Sequence, residues 1–294
     1  MQKNWCKMFD FLKEIDFQKL LAVKKKFDGG ERQIVMGLNS FAAGFFIGTM
    51  GRGGALVAKD LVSSGKIAAQ LAGFGFNVKF LTGTFENSMG LVDENLRDDF
   101  YAGLGDLCLH KIDFLVAMPN ALFQKIPSKK AFLQNIISLH QNQTLDMALL
   151  IKRLVEVGYH RTDGVYARGD FAVKGDTILL APIGCENLLR IEFFDDIIEK
   201  LSLLSFDDKK FVSAPQTFDI LPRELPAENA NILSYVDKVF LDEPAQIESA
   251  LETFDHAENF LPQSDVFADL PKSAIAFANI VKDTFFKADS YAHF

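Results

Sequence analysis

The stretch from Thr144 to Leu180, TLDMALLIKRLVEVGYHRTDGVYARGDFAVKGDTILL, places an amphipathic helix directly before a run of short strands. We expect Thr144 to cap this helix and Gly158 to end it. The apolar positions of the helix recur at helical spacing on one face: Met147, Leu150, Ile151, Leu154 and Val155. Such a stripe predicts a helix that packs against another element.

Short β-type runs follow the helix, and turns rather than helices separate them. The runs are Gly164 to Ala167, Phe171 to Val173, Thr177 to Leu180 and Leu189 to Phe194. Strands joined by turns favour an antiparallel sheet, here packed on the preceding helix. Residues 137–220 are therefore predicted to form a distinct α+β insert domain.

Outside the insert, continuous apolar strands alternate with helices. The predicted strands are 34–36, 55–58, 78–81, 112–118 and 238–241, and the predicted helices are 61–72, 94–109 and 245–254. This alternation indicates an α/β fold with a parallel sheet that helices cover on both faces. We expect residues 1–136 and 221–294 to form one α/β domain that the insert interrupts.

The composition limits the classes of function. The chain has 294 residues, 49% of them hydrophobic, and a formal net charge of -8 without a long basic run. Nucleic-acid binding normally needs a clustered basic surface, so this balance argues against it. Cys6, Cys108 and Cys185 are odd in number and far apart, which indicates neither a disulfide framework nor a zinc site. A reducing cytoplasm is the expected location.

The N-terminal third raises the question of a membrane segment. Residues 34–50 carry no charge, and Gly44 and Gly48 have the spacing of paired membrane helices. The stretch is short for a span, and Gly37 followed by the polar pair 39–40 breaks it, so we expect a strand and a helix instead. The first thirty residues mix apolar and charged positions as a surface helix does, with an end at Asp28.

Motifs in and after the insert carry a family resemblance. GYHRTD at 158–163 with RGDFAVKG at 168–175, LRIEFFDDIIE at 189–199 and ILPRELP at 220–226 stand in the order and near the spacing of a known signature. They resemble bacterial transcription-repair coupling factors (Mfd) and UvrB. Ordered motifs are a stronger signal than any single one. The resemblance implies a RecA-like α/β domain of the UvrB type around the insert.

The nucleotide loop that UvrB would need is degenerate. Its equivalent turn begins at Gly37, and Ala42, Ala43 and Gly44 stand where the loop requires Gly, Lys and Ser or Thr. Without the lysine and the hydroxyl, neither the outer phosphates nor magnesium has its usual partner. We therefore expect no nucleotide cofactor, as in the first domain of coupling factors.

The resemblance also implies a partner. The family binds UvrA through this insert, using the positions that match Lys174, Arg190 and Phe194, with Lys174 in place of the usual arginine. An arginine beside an aromatic ring is typical of interface anchors. Residues 137–220 hold 9 basic and 13 acidic residues, a net charge of -4, which suits a protein better than DNA. The alternative is that Phe194 is a core residue and Arg190 a solvated charge.

Two pairs of residues invite a catalytic interpretation. Asp242 and Glu243 follow an apolar strand as a magnesium-binding acid pair would, but we expect them to favour the N-terminus of the helix that begins at Pro244. Cys108 and His110 are two apart, so on a helix they point to different faces. We expect no catalytic residues and no metal site.

Three functions are compatible with the sequence. The first is a UvrA-docking module of a longer protein, with RNA polymerase and DNA bound only through the parent chain and no membrane partner. The second is the DNA-damage-binding ATPase part of a UvrB-type enzyme, for which only Phe100 and Tyr101 hint at an aromatic hairpin. The third is a structural or autoinhibitory domain that contacts the rest of its own chain. We expect the chain to be a fragment.

Overall fold

The computed structural model describes residues 16–38, 42–254, 260–268, 270–279 and 284–294. The first fifteen residues of the predicted surface helix lie outside the described residues. The helix Phe17–Asp28 ends where the sequence predicts. It begins after Asp16, whose carboxylate accepts hydrogen bonds from the backbone N–H groups of Gln18 and Lys19 and so satisfies two donors that have no partner within the helix.

The elements are numbered in chain order. The α-helices are α1 (Phe17–Asp28), α2 (Ala42–Thr49), α3 (Leu61–Gly73), α4 (Glu94–Cys108), α5 (Lys129–Gln134), α6 (Met147–Glu156) and α7 (Pro244–Glu252). The strands are β1 (Gln33–Met36), β2 (Gly54–Val57), β3 (Val78–Leu81), β4 (Phe114–Ala117), β5 (Ile137–His140), β6 (His160–Arg161), β7 (Asp170–Lys174), β8 (Thr177–Leu180), β9 (Leu188–Phe194), β10 (Ile197–Leu204), β11 (Phe211–Ser213), β12 (Thr217–Ile220), β13 (Lys238–Asp242), β14 (Ser273–Phe277) and β15 (Ser290–His293). Short 3-10 helices lie at Pro119–Phe123, Ile232–Tyr235 and Gln263–Asp265.

The first compact unit contains the described residues up to Thr84, His110–Gln124 and those from Asn231 onward. It is built on a seven-stranded sheet in the order β15-β1-β14-β13-β2-β4-β3, and every pair of neighbours is parallel. All residues of β2 and β4 are buried, because a parallel sheet is covered on both faces. The predicted α/β fold with a parallel sheet is confirmed.

The uncharged stretch 34–50 belongs to this unit. It forms β1 and α2, as expected for a strand followed by a helix, and α2 is only eight residues long. Within the part of the chain that the structure describes, none of the helices combines the length and apolarity needed to cross a bilayer.

The second compact unit comprises Phe85–Leu109 and Lys125–Ala230. Its main sheet has six strands in the order β11-β10-β9-β8-β7-β6, and the pairs from β7 to β11 are antiparallel. The short β6 pairs with β7 in parallel. Leu150 and Leu154 of α6 pack on one face of this sheet, so the predicted antiparallel insert that packs on one helix is confirmed.

Two local predictions in the insert were wrong. Residues 164–167 form a bend instead of a strand, because the Asp170 carboxylate accepts the N–H groups of Tyr166 and Ala167 at 3.1 and 2.9 Å. The cap of α6 is Asp146 instead of Thr144, and its carboxylate accepts from Ala148 and Leu149. In both places an aspartate carboxylate accepts backbone N–H groups that the sequence prediction had given to a strand or to a different cap.

The second unit also contains segments that the sequence assigns to the α/β domain. Helices α4 and α5 pack with the insert, and β5 and β12 close its ends as an antiparallel pair. The boundaries after residues 136 and 220 remain a proposal based on the change of helix and strand pattern in the sequence.

Candidate functional site

The decisive feature of β9 is the alternation of its side chains. Leu189, Ile191 and Phe193 are buried beneath α6, whereas Phe194 is 67% exposed. Arg190 and Phe194 are four residues apart, so they lie on the opposite face of the strand from the buried set. The structure therefore does not support the alternative in which Phe194 is a core residue.

Arg190 has an acidic neighbour on the same face. Its Nη2 atom donates to Oε1 of Glu192 at 2.7 Å, and the two side chains are 44% and 26% exposed. A partly exposed ion pair contributes little to folding stability. It does hold the guanidinium in a fixed direction, and the other N–H groups of a guanidinium fork can still reach a partner carboxylate.

Lys174 lies on the same face but not beside Arg190. In the strand register Lys174 is opposite Thr177, and Thr177 is opposite Glu192. Because residues directly opposite share a face, this row brings Lys174 to the face of Arg190. Lys174 is two strands away from β9, about 10 Å at ordinary strand spacing. We call the face that carries Lys174, Arg190, Glu192 and Phe194 the open face.

The signature glycines have a structural role. Gly158 has φ of +92°, and a Cβ there would lie 2.6 Å from Cβ of Glu224. Gly169 has φ of +86°, and a Cβ there would lie 2.5 Å from Nε of Arg223. Both positions therefore require glycine, because any side chain would be strained and would collide. The two glycines make room for the chain that leaves the insert.

Arg223, in the last of the signature motifs, is 2% exposed and pairs with acids of α4. Its Nε donates to Asp98 at 2.8 Å and its Nη2 to Glu94 at 2.6 Å. The hydrogen bond from Arg223 lowers the pKa of Glu94, whereas burial raises the pKa of Asp98. A buried pair of this kind is costly to break, since the remaining charge loses its partner. The network holds α4 against the insert.

The residues predicted to form a degenerate nucleotide loop, Gly37 and 42–44, make their contacts within the protein. The N–H group of Gly44, in the first turn of α2, donates to Oε1 of Gln70 at 3.0 Å. A Cβ at Gly44 would lie 2.5 Å from Cβ of Gln70, so a Ser or Thr does not fit there without movement. Gly37 has φ of +81°, and the carbonyl oxygen of Phe294 occupies the space of a side chain. Ala42 and Ala43 are buried.

A cavity of about 380 Å³ lies at the carboxyl ends of β1, β13 and β14, next to this loop. Asp242 and Glu243 line it together with Lys59, Lys66 and Asn279. Burial raises the pKa of Asp242. Glu243 is the N-cap residue of α7, as expected, but it has φ of +58° and its side chain makes no cap hydrogen bond. Its carboxylate instead accepts hydrogen bonds from the backbone and side chain of Asn279.

The other candidate residues from the sequence, Cys108, Phe100 and Tyr101, do not line this cavity. Cys108 is the last residue of α4, and burial raises the pKa of its thiol to about 11, which disfavours the reactive thiolate. Phe100 and Tyr101 are buried in α4 and do not form an aromatic hairpin. Among the described residues, no group of three or more His, Cys, Asp or Glu could hold a metal ion.

The chain is similar in sequence to a known domain family and to DNA-repair proteins. Residues 137–225 match the family described as the UvrB interaction domain. The chain is 26% identical to UvrABC system protein B of Aliivibrio fischeri over 170 residues, 55% of this chain and 24% of that protein. It is 30% identical to the transcription-repair-coupling factor of Bacillus subtilis over 127 residues, 42% of this chain and 11% of that protein. It is 31% identical to UvrABC system protein B of Edwardsiella ictaluri over 126 residues, 40% of this chain and 18% of that protein.

These matches confirm the resemblance inferred from the motifs. The insert is similar to the UvrB interaction domain, and the region around it is similar to UvrB and to transcription-repair coupling factors. The chain aligns with about a tenth to a quarter of the length of these relatives. The open face lies within the matched residues.

Proposed function

We propose that this chain, which carries a UvrB interaction domain, is a DNA-repair module that docks the excision-repair protein UvrA. Docking takes place on the open face, and Lys174, Arg190 and Phe194 make the contacts. The chain acts as a binding module and not as an enzyme. One observation carries the proposal: Arg190 and the exposed ring of Phe194 share a face of the sheet inside the matched domain, beside the small cluster in which Leu188 is buried on that face.

Each of the three side chains has a distinct task. Phe194 is the anchor, because a ring that is largely exposed in the free chain gains most from burial at an interface. Arg190, held by Glu192, presents a fixed fork to a carboxylate of the partner. Lys174 adds a charge two strands away, which widens the positive area but cannot make a bidentate bond.

In the wider proposal the module serves a transcription-repair coupling factor. The parent protein works in the cytoplasm at RNA polymerase stalled on damaged DNA, and this module recruits UvrA to the site. RNA polymerase and DNA are then contacted through other parts of the parent. The open face is also the surface that another part of the parent chain covers when UvrA is not needed. The similarity to a coupling factor over 127 residues supports this assignment.

The test is a calorimetric titration of the chain with purified UvrA. We expect saturable binding that Arg190→Ala weakens by about 1–3 kcal/mol, the range of an interface anchor. The matched control is Lys152→Ala, which removes an exposed cation from α6 on the other side of the sheet. Equal affinity of the wild type and Arg190→Ala would remove Arg190 from the site, and no binding by the wild type would refute the proposal.

The same preparation separates the two other functions. Saturable ATP binding at micromolar concentration, or binding to damaged DNA, would favour a UvrB-type enzyme. Retention of the chain by a carboxyl-terminal part of the parent, without any UvrA binding, would favour an autoinhibitory domain. With the Gly44 N–H bonded to Gln70 and a lysine missing at Ala43, we expect the ATP titration to show no saturation.

A further inference from the structure

We infer that the docking surface continues across β10 to the edge strand β11, where Lys200 and Phe211 receive an acidic segment of UvrA that carries an apolar side chain. This inference rests on the proposed function and names two contact residues and the chemistry of the segment they bind.

Strand register places both residues on the open face. Lys200 of β10 is directly opposite Glu192 of β9. Phe211 is opposite Leu204, and Leu204 is opposite Leu188, two residues before Arg190 on the same strand. Since opposite residues share a face and alternate residues of a strand do too, Lys200 and Phe211 lie with Arg190.

The two side chains already form a unit. The Lys200 Nζ atom lies 6.0 Å from the centroid of the Phe211 ring, within the range of a cation–π contact. Phe211 is 62% exposed, and all three residues of β11 are exposed. Among the described residues the six-stranded sheet ends at β11, so this aromatic ring lies at an edge of the sheet. An exposed ring next to a cation repeats the chemistry of Phe194 and Arg190.

Charge identifies the kind of segment that fits. The strand positions on the open face carry the cations Lys174, Arg190 and Lys200 against the acids Glu192 and Asp170, and the Asp170 carboxylate already accepts the backbone N–H groups of Tyr166 and Ala167. The insert as a whole has a net charge of -4. The other nearby acids lie in the turns and at the bulge of β10: Asp176, Asp195, Asp196, Glu199, Asp207 and Asp208. A locally positive strip on an acidic domain is complementary to carboxylates. The exposed rings of Phe194 and Phe211 flank the strip and favour a partner segment that has apolar side chains next to its carboxylates.

The experiment measures UvrA affinity for Phe211→Ala, Lys200→Ala and Lys200→Glu beside Arg190→Ala. We expect losses of about tenfold for Phe211→Ala, about threefold for Lys200→Ala and more than about tenfold for the charge reversal. Lys200→Arg, which keeps the charge, should retain most of the affinity. Leu149→Ala is the control, because Leu149 is a half-exposed apolar residue of α6, on the covered side. Thermal unfolding of each variant should match the wild type.

The outcomes separate this inference from the proposal beneath it. If the wild type binds UvrA and Arg190→Ala weakens binding while the Phe211 and Lys200 variants bind normally, the extension is wrong and the docking function stands. If the wild type does not bind UvrA, both fail. Self-association of the wild type that Phe211→Ala abolishes would assign the edge to a second copy of the chain and overturn the inference.

Discussion

Phe193 and Phe194 are neighbours on one strand and have the same side chain, but they differ in burial and in the face on which they lie. Phe193 is 6% exposed and packs in the core under α6, and Phe194 is 67% exposed on the open face. A sheet with one covered and one uncovered face separates stability from binding at single-residue spacing. The covered face of the insert stabilises the fold, whereas the open face is buried only around Leu188 and leaves Phe194 exposed.

Replacing each of the two phenylalanines by alanine should give the largest difference in stability between the two faces. Phe193→Ala should lower the free energy of unfolding by about 3–5 kcal/mol, because it leaves a cavity in the core. Phe194→Ala should lower it by less than about 0.5 kcal/mol, as surface substitutions do. Urea unfolding of both variants measures the difference. Equal losses would show that the two faces are not separated in this way.

The two arginines give the next largest contrast. Arg223→Ala should cost about 3 kcal/mol, since it leaves the buried Asp98 without its strongest partner. Arg190→Ala removes only the partly exposed pair with Glu192 and should cost less than about 1 kcal/mol. Denaturant midpoints of both variants check the prediction. A loss for Arg190→Ala as large as that for Arg223→Ala would mean that the open face contributes to folding.

The cap of α6, on the covered face, should have a smaller effect on stability. Asp146→Ala should destabilise the chain by about 1 kcal/mol, because the carboxylate caps two N–H groups of α6. Thr144→Ala, the substitution at the cap that the sequence suggested, is the matched comparison and should cost less. Thermal unfolding ranks the two. The reverse order would restore Thr144 as the cap.

The smallest effect belongs to the open face. Lys174→Arg should tighten UvrA binding by no more than about 1 kcal/mol and leave stability unchanged, because a planar fork replaces a point charge at an exposed position. Calorimetry with UvrA measures the affinity. A weaker complex would place Lys174 in a contact that depends on its compact ammonium group.

Sequence pattern predicted those features that depend on local periodicity. The buried strands of the parallel sheet, the helix α6 and the shared face of Arg190 and Phe194 all follow from spacing within one element. The uncharged segment 34–50 was resolved correctly into a strand and a helix because its polar and glycine positions interrupt it.

Other features depend on partners that are distant in sequence. Arg223 pairs with an acid 125 residues away, and Gln70 binds Gly44 from another helix. Residues 164–167 have strand-like composition but are bent by the Asp170 carboxylate. The edge strand β11 is three residues long, too short for a periodic signal, and so the aromatic contact of Phe211 with Lys200 required coordinates. Local propensity is overridden at each of these places by a specific contact.

The central interaction is the proposed docking of UvrA on the open face of the insert. Its most direct test is photo-crosslinking to UvrA from a benzophenone amino acid placed at Phe194, compared with the same group placed at Leu149 on α6. The proposed docking predicts a crosslink from position 194 that unlabelled wild-type chain competes away, and little from position 149. Crosslinking from position 149 without any from position 194 would contradict it.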